Sequence, residues 1–426
     1  MRKLSVKEGA NEAKLIRSSN YSQIDDEIVK SIVDNVKKFG DKAIKNYIKK
    51  FDDVNIESLE VTEEEYKYAY SKVTKQQINS LKVMKKRLEK TDLQLFRRLK
   101  NIRTTFYGLR IDRKLVPIQD VGCYIPGGKA RYPSTLVMCA VPARIAGVKR
   151  VVVTSPPLKD GTLDPLTLVA ADLCDVDEVY KIGGAHAIAA LAYGSETVKK
   201  VNKIVGPGGA IVNIAKQMVS RHVSIDMVAG PTELIIYADS MADPKIIVAD
   251  LISQSEHSMD TLCGIVTTSK DMVDRIESEI SKLFSNISLP RIDILKHNLV
   301  NNLFVAVCKD EFTSIKFINE FAPEHLELIC RNAATLCNKI TSAGVILLGQ
   351  YSPSSGSDYL FGNNHVLPTL EFGKSRACLS VLDFTKIVNV ITATRKGLAV
   401  VEPYIKELAF SEGLINHYNA IERRFR

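Results

Sequence analysis

The apolar residues of the chain follow two different repeats in its two parts. In residues 24–51 and again in residues 66–99 they recur every three or four positions, which is the spacing of one helix face. Gly40 is a natural break inside the first stretch, and Thr62-Glu63-Glu64-Glu65 is a capping box before the second. The first part of the chain therefore predicts a helical region without candidate catalytic groups.

From residue 114 onward, short apolar runs alternate with helical patterns and glycine-rich joints. This alternation is typical of an α/β protein with parallel sheets. The predicted strands are residues 121–125, 151–154, 179–182, 204–205, 234–238, 264–267, 303–307, 326–330 and 345–348. The predicted helices between them are residues 134–145, 166–173, 186–192, 210–219, 244–255, 272–284, 312–321 and 333–341. These strands are too many for one sheet, so we expect two sheets with a break near Gly230-Pro231.

The predicted architecture is an α/β fold with two Rossmann-like α/β units, an N-terminal helical region and a C-terminal helical tail. We expect the helical region to span residues 1–113, the first unit 114–230, the second unit 231–380 and the tail 381–426. The first unit is the predicted nucleotide-binding unit, and the second contains most of the candidate catalytic and metal-binding residues.

Composition agrees with a globular protein. The chain has 426 residues, 45% of them hydrophobic and 25% charged. No apolar run reaches the roughly 18 residues of a membrane helix, and the first residues lack an apolar signal region, so we expect a cytoplasmic protein that binds no membrane. The eight cysteines form no C-x-x-C pair and several lie in apolar runs, so we interpret them as buried hydrophobic residues.

The net charge of +9 raises the possibility of a nucleic-acid partner. However, the basic clusters Lys85-Lys86-Arg87 and Arg97-Arg98 share their segments with apolar residues at helical spacing. This arrangement favours the solvated face of a helix, so we expect no nucleic-acid partner. An anionic cofactor would also suit a basic protein.

Three glycine clusters lie between a predicted strand and a predicted helix, in residues 124–128, 182–185 and 205–210. Missing β-carbons let a ligand approach the backbone, and the following helix N-terminus favours phosphate groups. A nucleotide crevice at the carboxyl ends of these strands is therefore expected. None of the clusters is a G-x-G-x-x-G fingerprint, so tight turns without a ligand remain an alternative.

Glu324 and His325 set a carboxylate beside an imidazole directly after Pro323. Proline restricts the backbone of its own residue and of the residue before it, so the pair is expected on a short, stiff turn. The unperturbed pKa of histidine lies near neutrality, and the adjacent carboxylate can act as a second base. The alternative is an ordinary surface loop.

Candidate metal ligands lie in three separate segments. Gln254 and His257 are three residues apart near a predicted helix end and would share one face. Asp358 and His417 could complete a shell of two imidazoles and two oxygen ligands, which suits zinc, manganese or cobalt. Alternatively, the Gln/His pair is a surface pair and Asp358 caps a turn.

Five motifs then occur in order: residues 124–128 (YIPGG), 253–257 (SQSEH), 322–325 (APEH), 364–369 (NHVLPT) and 412–417 (EGLINH). In these motifs the chain resembles the histidinol dehydrogenase family from Val121 to Arg424, whereas the N-terminal part matches only in general helical character. The resemblance implies an NAD-dependent enzyme with one zinc ion per subunit. Such an enzyme oxidises L-histidinol to L-histidine through L-histidinal with two NAD⁺, in the last step of histidine biosynthesis.

The resemblance also implies roles for single residues. His325 would take the alcohol proton, and Glu324 would activate the water that attacks the aldehyde. The implied zinc ligands are Gln254, His257, Asp358 and His417. The implied substrate-binding residues are these ligands and His325 together with Thr232, His365 and Glu412. Thr232 stands where the family commonly has serine.

The implied NAD contacts are Tyr124, His186 and Gly209, and two of them depart from the family. The family commonly has glutamine at the position of His186 and asparagine at the position of Gly209. The missing side chain at Gly209 removes a possible hydrogen bond to NAD, of about 1 kcal/mol, whereas His186 can still donate or accept one.

The resemblance further implies a homodimer with shared active sites, in which the tail carries Glu412 and His417 to the partner subunit. Two other hypotheses remain open. A relative on the same scaffold could oxidise another small alcohol, in which case the residues that hold imidazole and amine groups should differ. A non-catalytic nucleotide-binding or nucleic-acid-binding protein gives no reason for Glu324-His325 to accompany a set of metal ligands.

Overall fold

The computed structural model describes residues 2–18, 26–127, 131–285 and 291–426. Ile24, at the start of the first helical pattern, and Gly128, in the first glycine cluster, lie outside the described residues. The N-terminal part contains β1 (Arg2–Val6), α1 (Ala10–Ser18), α2 (Asp26–Asp52), α3 (Glu63–Lys72), α4 (Lys75–Arg98), β2 (Ile102–Phe106) and β3 (Leu109–Pro117).

Helices α2 to α4 confirm the predicted helical pattern and its boundaries. At Gly40, α2 bends with a φ of 50° and a ψ of −133°, which glycine adopts without steric strain. The capping box before α3 is present: the N–H of Glu65 donates to the hydroxyl of Thr62 at 3.3 Å, and the N–H of Thr62 donates to the carboxylate of Glu65 at 2.8 Å.

The first α/β unit contains β4 (Asp120–Tyr124), α5 (Pro133–Ala146), β5 (Arg150–Thr154), α6 (Pro165–Leu173), β6 (Glu178–Tyr180), α7 (Gly184–Tyr193), β7 (Lys203–Val205), α8 (Ala210–Val219) and β8 (Ser224–Ile225). Its parallel sheet has the order β6-β5-β4-β7-β8. Helices α5 and α6 cover one face with α4, and α7 and α8 cover the other with α2. The strand order reverses between β4 and β7, and this switch point is where Rossmann-like units bind ligands.

The second unit contains β9 (Glu233–Ala238), α9 (Pro244–Ser255), β10 (Leu262–Thr267), α10 (Lys270–Ser285), α11 (Ile292–Asn301), β11 (Leu303–Cys308), α12 (Glu311–Phe321), β12 (His325–Ile329), α13 (Ala333–Cys337), β13 (Val345–Leu348) and α14 (Ser354–Tyr359). Its six parallel strands lie in the order β1-β11-β10-β9-β12-β13. Apart from β1, this order repeats that of the first unit, with the switch point between β9 and β12.

The tail contains β14 (Thr385–Ala393), α15 (Arg395–Ser411) and α16 (Ile415–Glu422), preceded by two short 3₁₀ turns (Phe372–Lys374 and Val381–Phe384). Strand β14 pairs antiparallel with β3, which pairs with β2 in a separate three-stranded sheet. The tail exposes large apolar side chains to solvent, among them Ile387, Ile391, Tyr404, Leu408 and Phe410.

All nine predicted strands are present, and the two-sheet α/β fold is confirmed. The sequence pattern did not predict β1, β2, β3, β8, β14, α1, α11 or α14, and the helix predicted for residues 333–341 ends at Cys337. Strand β2 has no apolar run and is exposed at every position. Residues 387–391 of β14 (IVNVI) are a β-branched run typical of a strand, so this strand was missed although its signal was present. The helical region and the helical tail therefore contain strands as well.

The surroundings of the cysteines agree with the expectation from their apolar runs. All eight cysteines are free, and five of them are buried, as expected of small hydrophobic residues. In the part of the chain that the structure describes, no helix is long and apolar enough to cross a membrane.

Candidate active site

The two α/β units meet at a pair of hydrogen bonds. Nε2 of His365 lies 3.1 Å from the hydroxyl of Thr135, in the first turn of α5, and the side-chain amide of Asn364 donates to the carbonyl of Met138 at 2.7 Å. Helix α5 follows the carboxyl end of β4. The 364–365 segment of the second unit is therefore held at the carboxyl edge of the first sheet.

Glu324 and His325 lie on a tight, buried turn between α12 and β12. Ala322 ends α12 in the left-handed region with a φ of 48°, and β12 begins at His325 after the rigid Pro323. The exposed fraction is 7% for Glu324 and 2% for His325. The predicted stiff turn is confirmed, and its burial excludes the surface loop that was the alternative.

Glu233, at the start of β9, fixes Glu324 by a reciprocal pair of hydrogen bonds. The N–H of Glu233 donates to Oε2 of Glu324 at 2.9 Å, and the N–H of Glu324 donates to Oε2 of Glu233 at 3.3 Å. Burial raises the pKa of the Glu324 carboxyl above its usual range. Because β9 and β12 flank the switch point of the second sheet, the two acids face each other at its amino edge.

His325 is held at both ring nitrogens. Nδ1 lies 3.3 Å from the carbonyl oxygen of Glu233, which can only accept a hydrogen bond, so Nδ1 carries a proton. Nε2 lies 3.1 Å from Oδ1 of Asp358. Burial alone would lower the pKa of His325, but the carboxylates of Glu324 and Asp358 outweigh it and hold this pKa well above its usual range.

Asp358, on α14, lies among His257, His325 and His365. Burial would raise the pKa of the Asp358 carboxyl, but His325 above all, and then the other two histidines, keep it low. Burial lowers the pKa of His365, which favours the neutral imidazole. Nδ1 of His365 donates to the carbonyl of Asp358 at 2.6 Å, so its Nε2 is the atom that accepts from Thr135.

Gln254 provides the structural test for a metal. It is only 1% exposed, and its Oε1 atom is buried without a hydrogen-bond partner. A buried carbonyl oxygen of this kind is rare unless a donor or a cation reaches it. His257, three residues further on, is exposed and presents an imidazole. The amide oxygen of Gln254, the imidazole of His257 and the carboxylate of Asp358 are donor types that suit zinc, which takes four ligands in a tetrahedral shell.

Within the described residues, no three His, Cys, Asp or Glu side chains form a group that could hold a metal ion. Glu412 and His417, the predicted site residues of the tail, are both exposed. Among the hydrogen bonds and ion pairs of the described residues, none joins either side chain to Glu324, His325 or Asp358. The structure thus brings His325, Asp358 and His365 together, with His257 near the carboxylate of Asp358. In the described part of the chain, no hydrogen bond or ion pair joins these residues to Glu412 or His417 of the tail.

Thr232 precedes Glu233 and is partly buried. Its carbonyl accepts a hydrogen bond from Leu262 at 2.9 Å, which aligns the start of β9 with β10. Thr232 is therefore placed at the same amino edge of the sheet as Glu324 and His325.

The glycine-rich loops meet at the switch point of the first sheet. The hydroxyl of Tyr124, the last residue of β4, accepts a hydrogen bond from the N–H of Gly184 at 3.2 Å. A β-carbon on Gly206 would lie 2.2 Å from the carbonyl oxygen of Tyr124, and the φ of Gly206 is 114°. Only glycine therefore allows the loop after β7 to approach β4 this closely.

The two positions that depart from the family differ in their surroundings. His186 is 2% exposed, packs near the rings of Tyr47 and Phe51 at 5.9 and 6.2 Å, and has no partner at Nε2. Burial lowers the pKa of His186 to about 3, so its ring is neutral. Gly209 is the N-cap of α8, and nothing lies within 4 Å of the place a β-carbon would take.

Several groups at the site were not predicted from the sequence. Glu233 was missed because its role depends on β12, more than 80 residues away. Lys216 and Asp226 form a fully buried ion pair; Nζ of Lys216 also donates to the carbonyl of Gly206 at 3.0 Å, and Asp226 accepts the N–H of Gly206 at 2.7 Å. A lysine on the apolar face of α8 was the available signal for this pair.

A doubly wound unit with glycine-rich loops at its switch point has the architecture of a dinucleotide-binding unit. The comparisons with known proteins are specific. The family model for histidinol dehydrogenase matches residues 16–425. A histidinol dehydrogenase of Clostridium acetobutylicum is 43% identical over 99% of this chain and 95% of its own, and one of Methanocaldococcus jannaschii is 39% identical over 93% and 92%.

The crystal structure of histidinol dehydrogenase from Elizabethkingia anophelis superposes with a TM-score of 0.93 at 32% sequence identity, covering 100% of this chain and 98% of that one. The chain belongs to the histidinol dehydrogenase family. It is accordingly an NAD-dependent oxidoreductase, and its family belongs to histidine biosynthesis.

Proposed function

We propose that this protein oxidises L-histidinol to L-histidine through L-histidinal and reduces two NAD⁺, in the last step of histidine biosynthesis. The observation that carries the proposal is the buried Glu324-His325 pair, because His325 is linked through Asp358 and His365 to Thr135 of the first unit. Each of the two oxidations transfers one hydride to NAD⁺ and releases one proton. Two neighbouring bases at one point can accept these protons in turn.

In the first step, His325 takes the proton of the alcohol, for which its ring must be neutral. A cation bound at Asp358 would offset one of the two carboxylate charges that raise the pKa of His325 and so favour the neutral ring. Its Nδ1 is engaged by the carbonyl of Glu233, so Nε2 is the nitrogen that faces the substrate side together with Asp358. In the second step, Glu324 takes a proton from the water that attacks the aldehyde carbon. Burial raises the pKa of the Glu324 carboxyl, which makes it a stronger base once it is ionised.

Thr232, His365 and Glu412 hold the substrate in this proposal. His365 is fixed in one orientation by the carbonyl of Asp358 and the hydroxyl of Thr135, so it presents the same face to every substrate molecule. The carboxylate of Glu412 would balance the positive charge of the substrate amine.

We assign the zinc shell to Gln254, His257, Asp358 and His417. When bound, one zinc ion per subunit would take the imidazole and amine groups of the substrate as further ligands and orient the reacting carbon. The support from this chain is the unpartnered, buried Oε1 of Gln254 and the carboxylate of Asp358 among three histidines.

NAD is assigned to the carboxyl edge of the first sheet, at Tyr124, His186 and Gly209. The open N-terminus of α8 beside Gly209 favours a pyrophosphate group. His186, packed near Tyr47 and Phe51, has one ring nitrogen left for a hydroxyl group of the cofactor.

A homodimer with shared sites accounts for the two exposed residues of the tail. Glu412 and His417 lie on a segment with a large exposed apolar surface, and a partner subunit would cover it and receive both residues. Leu408→Asp should yield monomers in analytical ultracentrifugation, whereas Met241→Asp, at an equally exposed position outside the tail, should leave the dimer intact. A monomeric wild-type protein would contradict the assignment. We further propose that the protein acts in the cytoplasm and binds no nucleic acid.

The decisive experiment counts NADH formed per L-histidinol consumed by the zinc-supplied protein, with other amino alcohols and NADP⁺ as controls. Two NADH per histidinol, with histidine as the product, are expected. A single oxidation, or turnover of another alcohol only, would favour the alternative of a related dehydrogenase on this scaffold.

The zinc assignment has its own test in His257→Asn. This variant should contain less zinc than the wild type by elemental analysis, because it loses one ligand. His297→Asn is the matched control, since His297 is also exposed but lies on α11. Equal zinc in both variants would remove His257 from the shell.

A further inference from the structure

A second group of polar side chains lies directly behind the candidate site: Asp250 on α9, Glu327 on β12 and Ser354 at the start of α14. We call these three residues the carboxyl layer. All are buried, with exposed fractions of 9%, 2% and 0%. The N–H of Ser354 donates to Oε1 of Glu327 at 2.7 Å, and the carboxyl group of Glu327 lies against that of Asp250.

Each member of the carboxyl layer shares an element and a face with one residue of the site. Asp250 and Gln254 are four residues apart on α9, and Ser354 and Asp358 are four residues apart on α14. His325 and Glu327 are two residues apart on β12 and point to the same side of the sheet. Gln254, His325 and Asp358 lie on α9, β12 and α14, and the three residues of the carboxyl layer lie on the same three elements, one step further into the core.

Two buried carboxyl groups in contact cannot both be ionised without a large penalty, so one proton between them is expected. Oε2 of Glu327 is buried and receives no hydrogen bond. Without a donor to stabilise a negative charge on this oxygen, the protonated form of the carboxyl group is favoured. Burial, and then the neighbouring Asp250, raise the pKa of Glu327, and burial raises that of Asp250. Glu327 can thus accept from α14 with one oxygen and donate to α9 with the other.

We propose that Glu327 is a positioning residue: its buried carboxyl group, which accepts a hydrogen bond from Ser354 and adjoins Asp250, holds α9 and α14 against β12. In this way it sets the spacing between Gln254, Asp358 and His325. The inference rests on the proposed zinc site, because it predicts that residues remote from the metal control how tightly the metal is held.

The test compares Glu327→Leu with Glu327→Gln. The amide of glutamine is neutral, donates and accepts like the protonated acid, and should retain zinc affinity, whereas leucine fills the volume and removes both hydrogen bonds. Zinc affinity, measured by competition with a chromogenic chelator, should fall by about 10–100-fold in Glu327→Leu. Asp92→Leu is the matched control, because Asp92 is an equally buried carboxyl group on α4. It should leave zinc affinity unchanged whatever it does to stability.

A second measurement does not depend on zinc or on the leucine variant folding. The infrared difference spectrum between the metal-free wild type and metal-free Glu327→Gln at pH 7.5 should contain the carbonyl band of a protonated carboxylic acid. Absence of this band would overturn the shared proton, and wild-type zinc affinity in folded Glu327→Leu would overturn the positioning role. A wild type that binds no zinc would instead defeat the zinc proposal, and the infrared result would still stand or fall by itself.

Discussion

Glu233 and Glu324 each accept a hydrogen bond from the other's main-chain N–H, at 3.3 and 2.9 Å between nitrogen and carboxylate oxygen. Glu233 begins β9, and Glu324 directly precedes β12, the adjacent parallel strand on the other side of the switch point of the second sheet. Glu324 is thus oriented by a neighbouring strand instead of by its own turn alone. The same strand supplies the carbonyl that fixes the ring of His325.

Substitutions of His325 and of Glu324 should slow different steps of the reaction. His325→Asn is expected to slow alcohol oxidation by about 10²–10⁴-fold, the usual contribution of a general base. Glu324→Gln should slow mainly the oxidation of histidinal, because it cannot take a proton from water. Separate assays that begin from histidinol and from histidinal measure the two steps. Equal loss of both steps in Glu324→Gln, with fold and metal content intact, would contradict this division.

A side chain added at Gly209 and one added at Gly206, in the same loop, should change the affinity for NAD⁺ in opposite directions. Gly209→Asn is expected to lower the Kd for NAD⁺ by about fivefold, since the position is open and a new hydrogen bond contributes about 1 kcal/mol. Gly206→Ala should weaken NAD⁺ binding, because its β-carbon would contact the carbonyl of Tyr124. Calorimetric titration of both variants with NAD⁺ checks the pair. Unchanged affinity in Gly209→Asn would place NAD away from this helix end.

Asp92 should make the protein less stable as the pH rises. Burial above all raises the pKa of this carboxyl to about 6, from about 3.8 in an unfolded chain, and one of its oxygens has no hydrogen-bond partner. A raised carboxyl pKa contributes full stability below pH 4 and loses it as the pH rises towards 6. Asp92→Asn should therefore increase the free energy of unfolding by up to about 3 kcal/mol at pH 7.5, and by much less at pH 4. Urea unfolding at both pH values measures the difference, and an equal gain at both would refute it.

Removal of the buried lysine in the first unit should be strongly destabilising. Lys216→Met leaves the carboxylate of Asp226 buried without its countercharge, for which a loss of about 3–5 kcal/mol is expected. Lys200→Met, at an exposed position, should change stability by no more than about 0.5 kcal/mol. Because Lys216 and Asp226 both hold Gly206, the surviving folded protein should also have a higher KM for NAD⁺. Chemical unfolding and steady-state kinetics test the two effects.

The core strands could be predicted from the sequence because their burial is continuous. Every residue of β9 and β10 is buried, and such strands appear as unbroken apolar runs. Strand β2 has no such run, and the β-branched run of β14 (residues 387–391, IVNVI) is exposed, because both strands belong to a sheet whose faces are largely exposed in the single chain. Their apolar residues are consistent with a covering partner, which a local pattern cannot reveal.

The same limit applies to the site. Glu324 and His325 are adjacent in sequence, so their pairing was visible as a dipeptide. The contacts of Thr135 with His365 and of Glu233 with Glu324 join residues that are far apart in the chain, and only the folded arrangement of the strands brings them together. Burial of Gln254 likewise follows from the packing of α9 against α14 and could not be read from its spacing to His257.

The edge position of β1 has a consequence for synthesis on the ribosome. Strands β4 to β8 follow one another closely, so the first sheet can form as soon as they have emerged. Strand β1 instead pairs with β11, with Arg2 opposite Phe304, so about 300 further residues are translated before its partner exists. The second unit can thus be completed only after the first, and its earliest strand is unpaired during most of translation. Arg2 and Lys3 make that strand a poor template for pairing with other nascent chains.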